Sequence, residues 1–198
     1  MTEEPADLAS LAPFPGINST LCNEVPGGMS LKDKEFIDLG NGRKLEAIYG
    51  PGHAKHHFTF YDEYSKTLFM GDTLGLIYPH GNFVQPNLPP PDFNKEVLFN
   101  TLDELYTLDL KYLALAHFGI HKNPYELIIN AKESIDIWID FVTNLPNLSI
   151  DEATQSLQTW LSGNYRILNV DEKTINNYLN NGNFKMQIQG IRNYLNID

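Results

Sequence analysis

Gly50-Pro51-Gly52-His53-Ala54-Lys55-His56-His57-Phe58-Thr59-Phe60-Tyr61-Asp62 decides how this chain is read. Lys44-Leu45-Glu46-Ala47-Ile48-Tyr49 before it alternates with period two, and His57 to Tyr61 is strand-like in turn. His53 therefore sits just past a strand end, behind a Gly-Pro-Gly turn. His53 and His57 stand four apart, which on a helix would aim both at one ion. Pro51-Gly52 and the aromatic, β-branched run after His57 favour extended chain instead.

Working outward, Glu35-Phe36-Ile37-Asp38-Leu39 joins the Lys44–Tyr49 run through Asn41-Gly42, the strongest hairpin signal in the chain. Thr67-Leu68-Phe69-Met70 adds a fourth strand, closed by Gly71-Asp72-Thr73. After the Gly/Pro-punctuated stretch ending in Pro89-Pro90-Pro91, Asp92 or Asn94 caps a helix with Val97, Leu98, Leu102, Leu105 and Leu108 at helical spacing. Tyr112 to Ala116 reads as a buried strand that delivers His117, followed by Phe118-Gly119. His53, Asp72 and His117 each close a strand beside a glycine, where a rigid sheet presents side chains while the backbone turns away. Imidazole and carboxylate are donors for zinc, iron or manganese. Any one of the three is, taken singly, more often a capping or turn residue.

The remainder is helical: an amphipathic helix over 124–145 with Leu127, Ile128, Ala131, Ile135, Trp138, Ile139 and Val142 on one stripe, then helices over Asp151–Leu161, Asp171–Leu179 and Met186–Leu195. These helices hold no His or Cys and are expected to serve packing, oligomerisation or a substrate lid. The first thirty residues, rich in Pro and Gly, read as loop with one helical turn. With 14 basic against 25 acidic side chains the net charge is −11, which disfavours a nucleic-acid partner. Cys22 is the lone cysteine, and no apolar run approaches the ~18 residues of a membrane span, so a soluble cytoplasmic protein is expected.

Together, Gly50–Asp62, Gly71-Asp72-Thr73-Leu74 and Ala116-His117-Phe118-Gly119 resemble, in order and spacing, motifs of the metallo-β-lactamase superfamily. The nearest resemblance is to its hydroxyacylglutathione-hydrolase (glyoxalase II-like) branch, which shares a proline stretch like Gln85-Pro86-Asn87-Leu88-Pro89-Pro90-Pro91. The resemblance implies an α/β fold: the C-terminal half of an αββα sandwich over 1–121, followed by a helical extension over 122–198. It implies His53 on a first metal, Asp72 bridging two, His117 on the second, and His57 beside the site, with Asp72 orienting a hydroxide and His57 meeting substrate. The implied cofactor is zinc, two ions in the family, with iron or manganese as substitutes; the implied reaction is thioester or ester hydrolysis. His80 and His121 match no ligand position.

The family's His-x-His-x-Asp-His motif is absent from this sequence, and no histidine precedes His53. The expectation is a half chain with three ligands out of seven. Its partner is a complementing N-terminal half or a second copy in a homodimer; a truncated product or a fragment of a longer enzyme would look the same. The competing function is a catalytically inactive half-domain that binds partners through the Trp138 and Trp160 helices.

Overall fold

Asn41 and Gly42 take φ of 53° and 76°, the paired left-handed turn an Asn-Gly dipeptide favours, and fold β1 (Glu35–Gly40) back on β2 (Arg43–Tyr49). The computed structural model describes residues 31–77, 83–145, 147–167 and 169–197. The proline-rich start, Cys22 and His80 lie outside the described residues. β2 pairs antiparallel with β3 (Phe58–Asp62), and β3 with β4 (Thr67–Gly71). Helix α1 (Lys95–Tyr106) then carries the chain to β5 (Tyr112–Leu115), which lies parallel to β4. A short β6 (Ile120–His121), not signalled by any sequence pattern, completes the order β1-β2-β3-β4-β5-β6 among the described residues. Parallel β4 and β5 bring their C-terminal ends, and so Asp72 and His117, to the same edge.

Four helices follow: α2 (Pro124–Thr143), α3 (Ile150–Ile167), α4 (Glu172–Asn181) and α5 (Phe184–Leu195). α3 runs six residues past its expected end at Leu161, because Tyr165 continues the buried stripe of Leu157 and Leu161. Its start is a reciprocal cap: Glu152 accepts from the Ser149 backbone N–H and hydroxyl, and the Glu152 N–H donates back to the Ser149 hydroxyl. In α1, Asn94 rather than Asp92 is the cap, accepting from the Val97 N–H at 2.9 Å. Val97 itself is 38% exposed, off the buried stripe of Leu98, Leu102 and Leu105, and Leu108 lies beyond the helix end.

The sheet has two different apolar faces. Ile48, Tyr61, Leu68, Met70, Leu113 and Leu115 share a hydrophobic cluster with α1 to α5, Trp138 and Phe184 included. The apolar contact expected of Trp138 is therefore made inside this chain, where it is 2% exposed and stacked near Phe184. On the opposite face, register places Ala47, Phe60, Phe69, Ala114 and Ile120 in one row across five strands. None of that row belongs to the helix-facing cluster.

Candidate functional site

His53 is held in the β2–β3 connection, which α1 pins from outside. The Asn94 N–H donates to the Gly52 carbonyl at 2.9 Å and the Thr101 hydroxyl to the Pro51 carbonyl at 2.8 Å. Gly52 has φ of 117° and lies so close to Leu98 that an added methyl would sit 2.6 Å from the Leu98 Cβ. The His53 ring is 7% exposed, and its Nδ1 donates to the Asn87 carbonyl at 2.8 Å. That bond fixes the tautomer with the lone pair on Nε2, the arrangement in which an imidazole is prepared as a metal ligand.

His57 stands one residue before β3, with its ring 5.6 Å from that of His53, edge to face. The Asp72 N–H approaches Nε2 at 3.4 Å, so Nε2 accepts and Nδ1 carries the proton toward the Thr73 hydroxyl at 2.9 Å. Burial, reinforced by the neighbouring His53, pushes the His57 imidazole down to about 4, so it is neutral at pH 7. Nε2 meets the Asp72 backbone N–H and Nδ1 the Thr73 side-chain hydroxyl, and Gly71, at φ 54°, leaves the space the ring occupies.

Asp72 follows β4, and the Ala116 N–H donates to the Gly71 carbonyl at 3.0 Å, tying the ends of β4 and β5 together. His117 leaves β5 on a turn in which Phe118 and Gly119 both have positive φ and the Leu115 N–H meets the Gly119 carbonyl. His117 Nε2 is 3.7 Å from Asp72 Oδ1, beyond hydrogen-bonding distance. Asp72 Oδ1 is buried and has no hydrogen-bond partner. A buried, unpartnered carboxylate oxygen facing an imidazole nitrogen is matched in chemistry to a divalent cation.

The donors fit a metal in kind but not in number. Among the described residues, no three His, Cys, Asp or Glu side chains gather closely enough to hold one ion, whereas catalytic zinc takes three protein ligands. The structure brings Asp72 to His117 and His53 to His57, and it leaves these as two pairs joined through the Asp72 backbone. His121 is elsewhere, on β6 against Leu113, with burial lowering its pKa. Sequence reasoning missed Asn87, whose carbonyl orients His53, and Gln187 behind it. Gln187 donates to the Asn87 side chain at 3.2 Å and accepts from the Leu88 N–H. Nothing local marks a contact that spans a hundred residues of chain.

Residues 30–117 match the family model of the metallo-beta-lactamase superfamily. A metallo-beta-lactamase fold-containing protein of Sulfurisphaera tokodaii is 31% identical over 93 residues, 46% of this chain and 33% of the relative. The crystal structure of a metallo-beta-lactamase family protein from Thermus thermophilus aligns over 85% of this chain and 49% of its own, with 19% identity and a TM-score of 0.59, which shows the same fold. The chain thus spans a third of its curated relative and about half of that solved structure. No described helix is long and apolar enough to cross a membrane. The segment 30–117, with Asp72 and His117 at its paired strand ends, is thus similar to the metallo-beta-lactamase superfamily and has a fold of that type, with a helical C-terminal part behind it.

Proposed function

We propose that this chain supplies part of the metal centre of a thioester or ester hydrolase, with Asp72 and His117 as one donor pair and His53 as a further ligand. The observation that carries this reading is the buried Asp72 Oδ1 without a partner, 3.7 Å from His117 Nε2. Leaving a charged oxygen so placed is costly unless a cation completes it. The remaining ligands come from a complementing polypeptide segment or from a second copy. Asp72, His117 and His53 would hold zinc, iron or manganese, and a metal bound there would supply a hydroxide at neutral pH and polarise a carbonyl. This chain's own residues orient that centre: Asn87 fixes the His53 ring, and neutral His57 holds the Asp72 turn through its two ring nitrogens.

Cobalt absorption spectroscopy tests the ligand assignment without requiring turnover. The chain alone binds cobalt weakly through its donor pair, and Asp72→Ala or His117→Ala removes the signal. With the remaining ligands provided, binding becomes stoichiometric and an acyl-thioester panel or a generic ester is hydrolysed. Unchanged cobalt spectra in both variants, or no hydrolysis by the complemented, metal-loaded protein, overturn the reading.

The sheet face opposite the helix-facing cluster favours a second reading. Ala47, Phe60, Phe69, Ala114 and Ile120 form an apolar row there, in which Phe60 and Phe69 are half-buried and Ile120 is 42% exposed and offers a partner apolar surface. On that reading the chain is a catalytically inactive partner-binding module, and it predicts a well-folded complex that takes up no cobalt.

A further inference from the structure

A cavity of about 420 Å³ opens beside His117, between the strand ends and helices α4 and α5. Its wall is unusual for a chain of net charge −11. Six carboxamides line it, Gln85, Asn87, Asn177, Asn181, Asn183 and Gln187, and His117 is the one titratable side chain among the lining residues described. Among the described lining residues there is no carboxylate, ammonium or guanidinium. Each carboxamide offers two donors and an acceptor, so the wall matches uncharged donor–acceptor groups and gives no counter-charge to an anion or a cation.

Most of these amides are already engaged. Gln187 bonds Leu88 and Asn87, Asn181 donates to Asn177 at 2.8 Å, and Asn183 turns to the Met186 sulfur at 3.6 Å. Gln85 is different. It is 1% exposed, its backbone N–H and carbonyl are both paired with Leu76, and neither Oε1 nor Nε2 of its side chain has a hydrogen-bond partner. A buried primary amide with both ends unsatisfied costs stability, and native structures keep such groups where something outside the fold satisfies them.

We infer that this cavity is a subsite for an uncharged, amide-bearing acyl group, whose amide N–H and carbonyl pair with the Gln85 carboxamide. The inference rests on the proposed hydrolase centre only in calling the occupant a substrate: an acyl group seated here has its far end at His117. Acyl thioesters ending in a free carboxylate meet no Lys or Arg among the described lining residues and are disfavoured, which favours neutral amides of the N-acyl type.

Binding is measured on the full chain without metal, so its outcome is separate from that of hydrolysis. The probe is N-acetylglycinamide, with the carboxylate N-acetylglycine as its charged counterpart, both titrated by saturation-transfer NMR. The amide binds in the millimolar range expected of so small a ligand, the carboxylate at least tenfold more weakly, and the side-chain NH2 resonance of Gln85 moves with the amide alone. Gln85→Leu lowers amide affinity at least tenfold and raises Tm, because an apolar residue removes the unsatisfied buried amide. A merely structural Gln85 gives the opposite sign in Tm. Equal binding of the two probes, no binding of the amide, or a Gln85 resonance that stays fixed overturns the inference, and the last of these readouts needs no variant to fold.

Discussion

Gly190→Ala sets two effects of opposite sign against each other in helix α5. Helix propensity alone favours alanine over a mid-helix glycine by about 0.8–1.0 kcal/mol. Gly190, however, is the point where α5 lies directly on the backbone of the proline-rich loop. A methyl there would fall inside contact distance of the Leu88 carbonyl oxygen, 2.9 Å from its carbon and 3.2 Å from that of Pro89. These are backbone atoms, so no side chain can rotate away. Relief requires α5 to shift, at the ~1–3 kcal/mol typical of overpacking. One helical turn earlier the shift pulls Gln187 from the Leu88 N–H, leaving a buried donor unsatisfied for about 1–3 kcal/mol more. The net loss is roughly 1–5 kcal/mol, a fall in Tm of about 2–4 °C per kcal/mol for a chain of this size. Gly163→Ala in α3 is the internal control, since no heavy atom lies within 4 Å of the added methyl. It gains about 0.5–1 kcal/mol, and Tm rises. Thermal and urea unfolding of both variants give opposite signs. A Gly190→Ala chain as stable as the parent, or two shifts of the same sign, refutes the close-contact reasoning.

Asp62 is 1% exposed and paired with Arg43; burial raises its carboxyl pKa, but the hydrogen bonds from Arg43, Ser65 and the Tyr64 N–H outweigh it and hold the value below the usual range. Its stabilisation is therefore complete above the unfolded value near 4 and fades as pH falls through the lower folded value, so Asp62→Asn destabilises at pH 7 by about 1.5–3 kcal/mol. Chemical denaturation from pH 7 to pH 2 checks this, and a penalty that is the same at both ends sinks it. Gly71→Ala puts a methyl 2.6 Å from His57 Nε2 on a backbone with φ of 54°, displacing the ring that holds the Asp72 turn. Cobalt affinity falls about 10–100-fold, and equal cobalt titrations in parent and variant contradict the positioning role of His57. Asn94→Ala removes the cap of α1 and costs about 1 kcal/mol in urea unfolding; no loss would mean the 2.9 Å cap bond contributes nothing.

The strands and helices were legible where periodicity and turn chemistry agree. Asn41-Gly42 specifies its hairpin locally through left-handed backbone, and the α2 stripe from Ile128 to Val142 buries as its spacing predicts. The misses have physical causes. β6 is two residues long and exists by pairing with Leu113 and Ala114, which no local pattern encodes. α3 passes through Gly163 because tertiary burial of Tyr165 outweighs one glycine's propensity. For the site, His53, Asp72 and His117 were picked out because each closes a strand next to a glycine. The tautomer of His53 and the unpartnered oxygen of Asp72 were not readable, since both depend on atoms brought together from distant sequence.

The C-terminal helices hold no His or Cys, yet they set the geometry of a candidate ligand. Gln187 on α5 accepts from the Leu88 N–H and donates to the Asn87 side chain, while the Asn87 backbone carbonyl accepts from His53 Nδ1–H. Gly190 lets α5 approach closely enough for that to happen. The same Gln187 and Asn87 stand in the cavity wall together with His117. One rigid contact, helix on proline-rich loop, thus fixes the ring of a candidate ligand and shapes the pocket beside another. A helix that merely covered the sheet would need an apolar stripe and nothing more. α5 instead buries a glutamine, 1% exposed, at the centre of its contact with the loop. A buried carboxamide is worth its desolvation only when every bond is made, and here those bonds are the ones that lead back to His53.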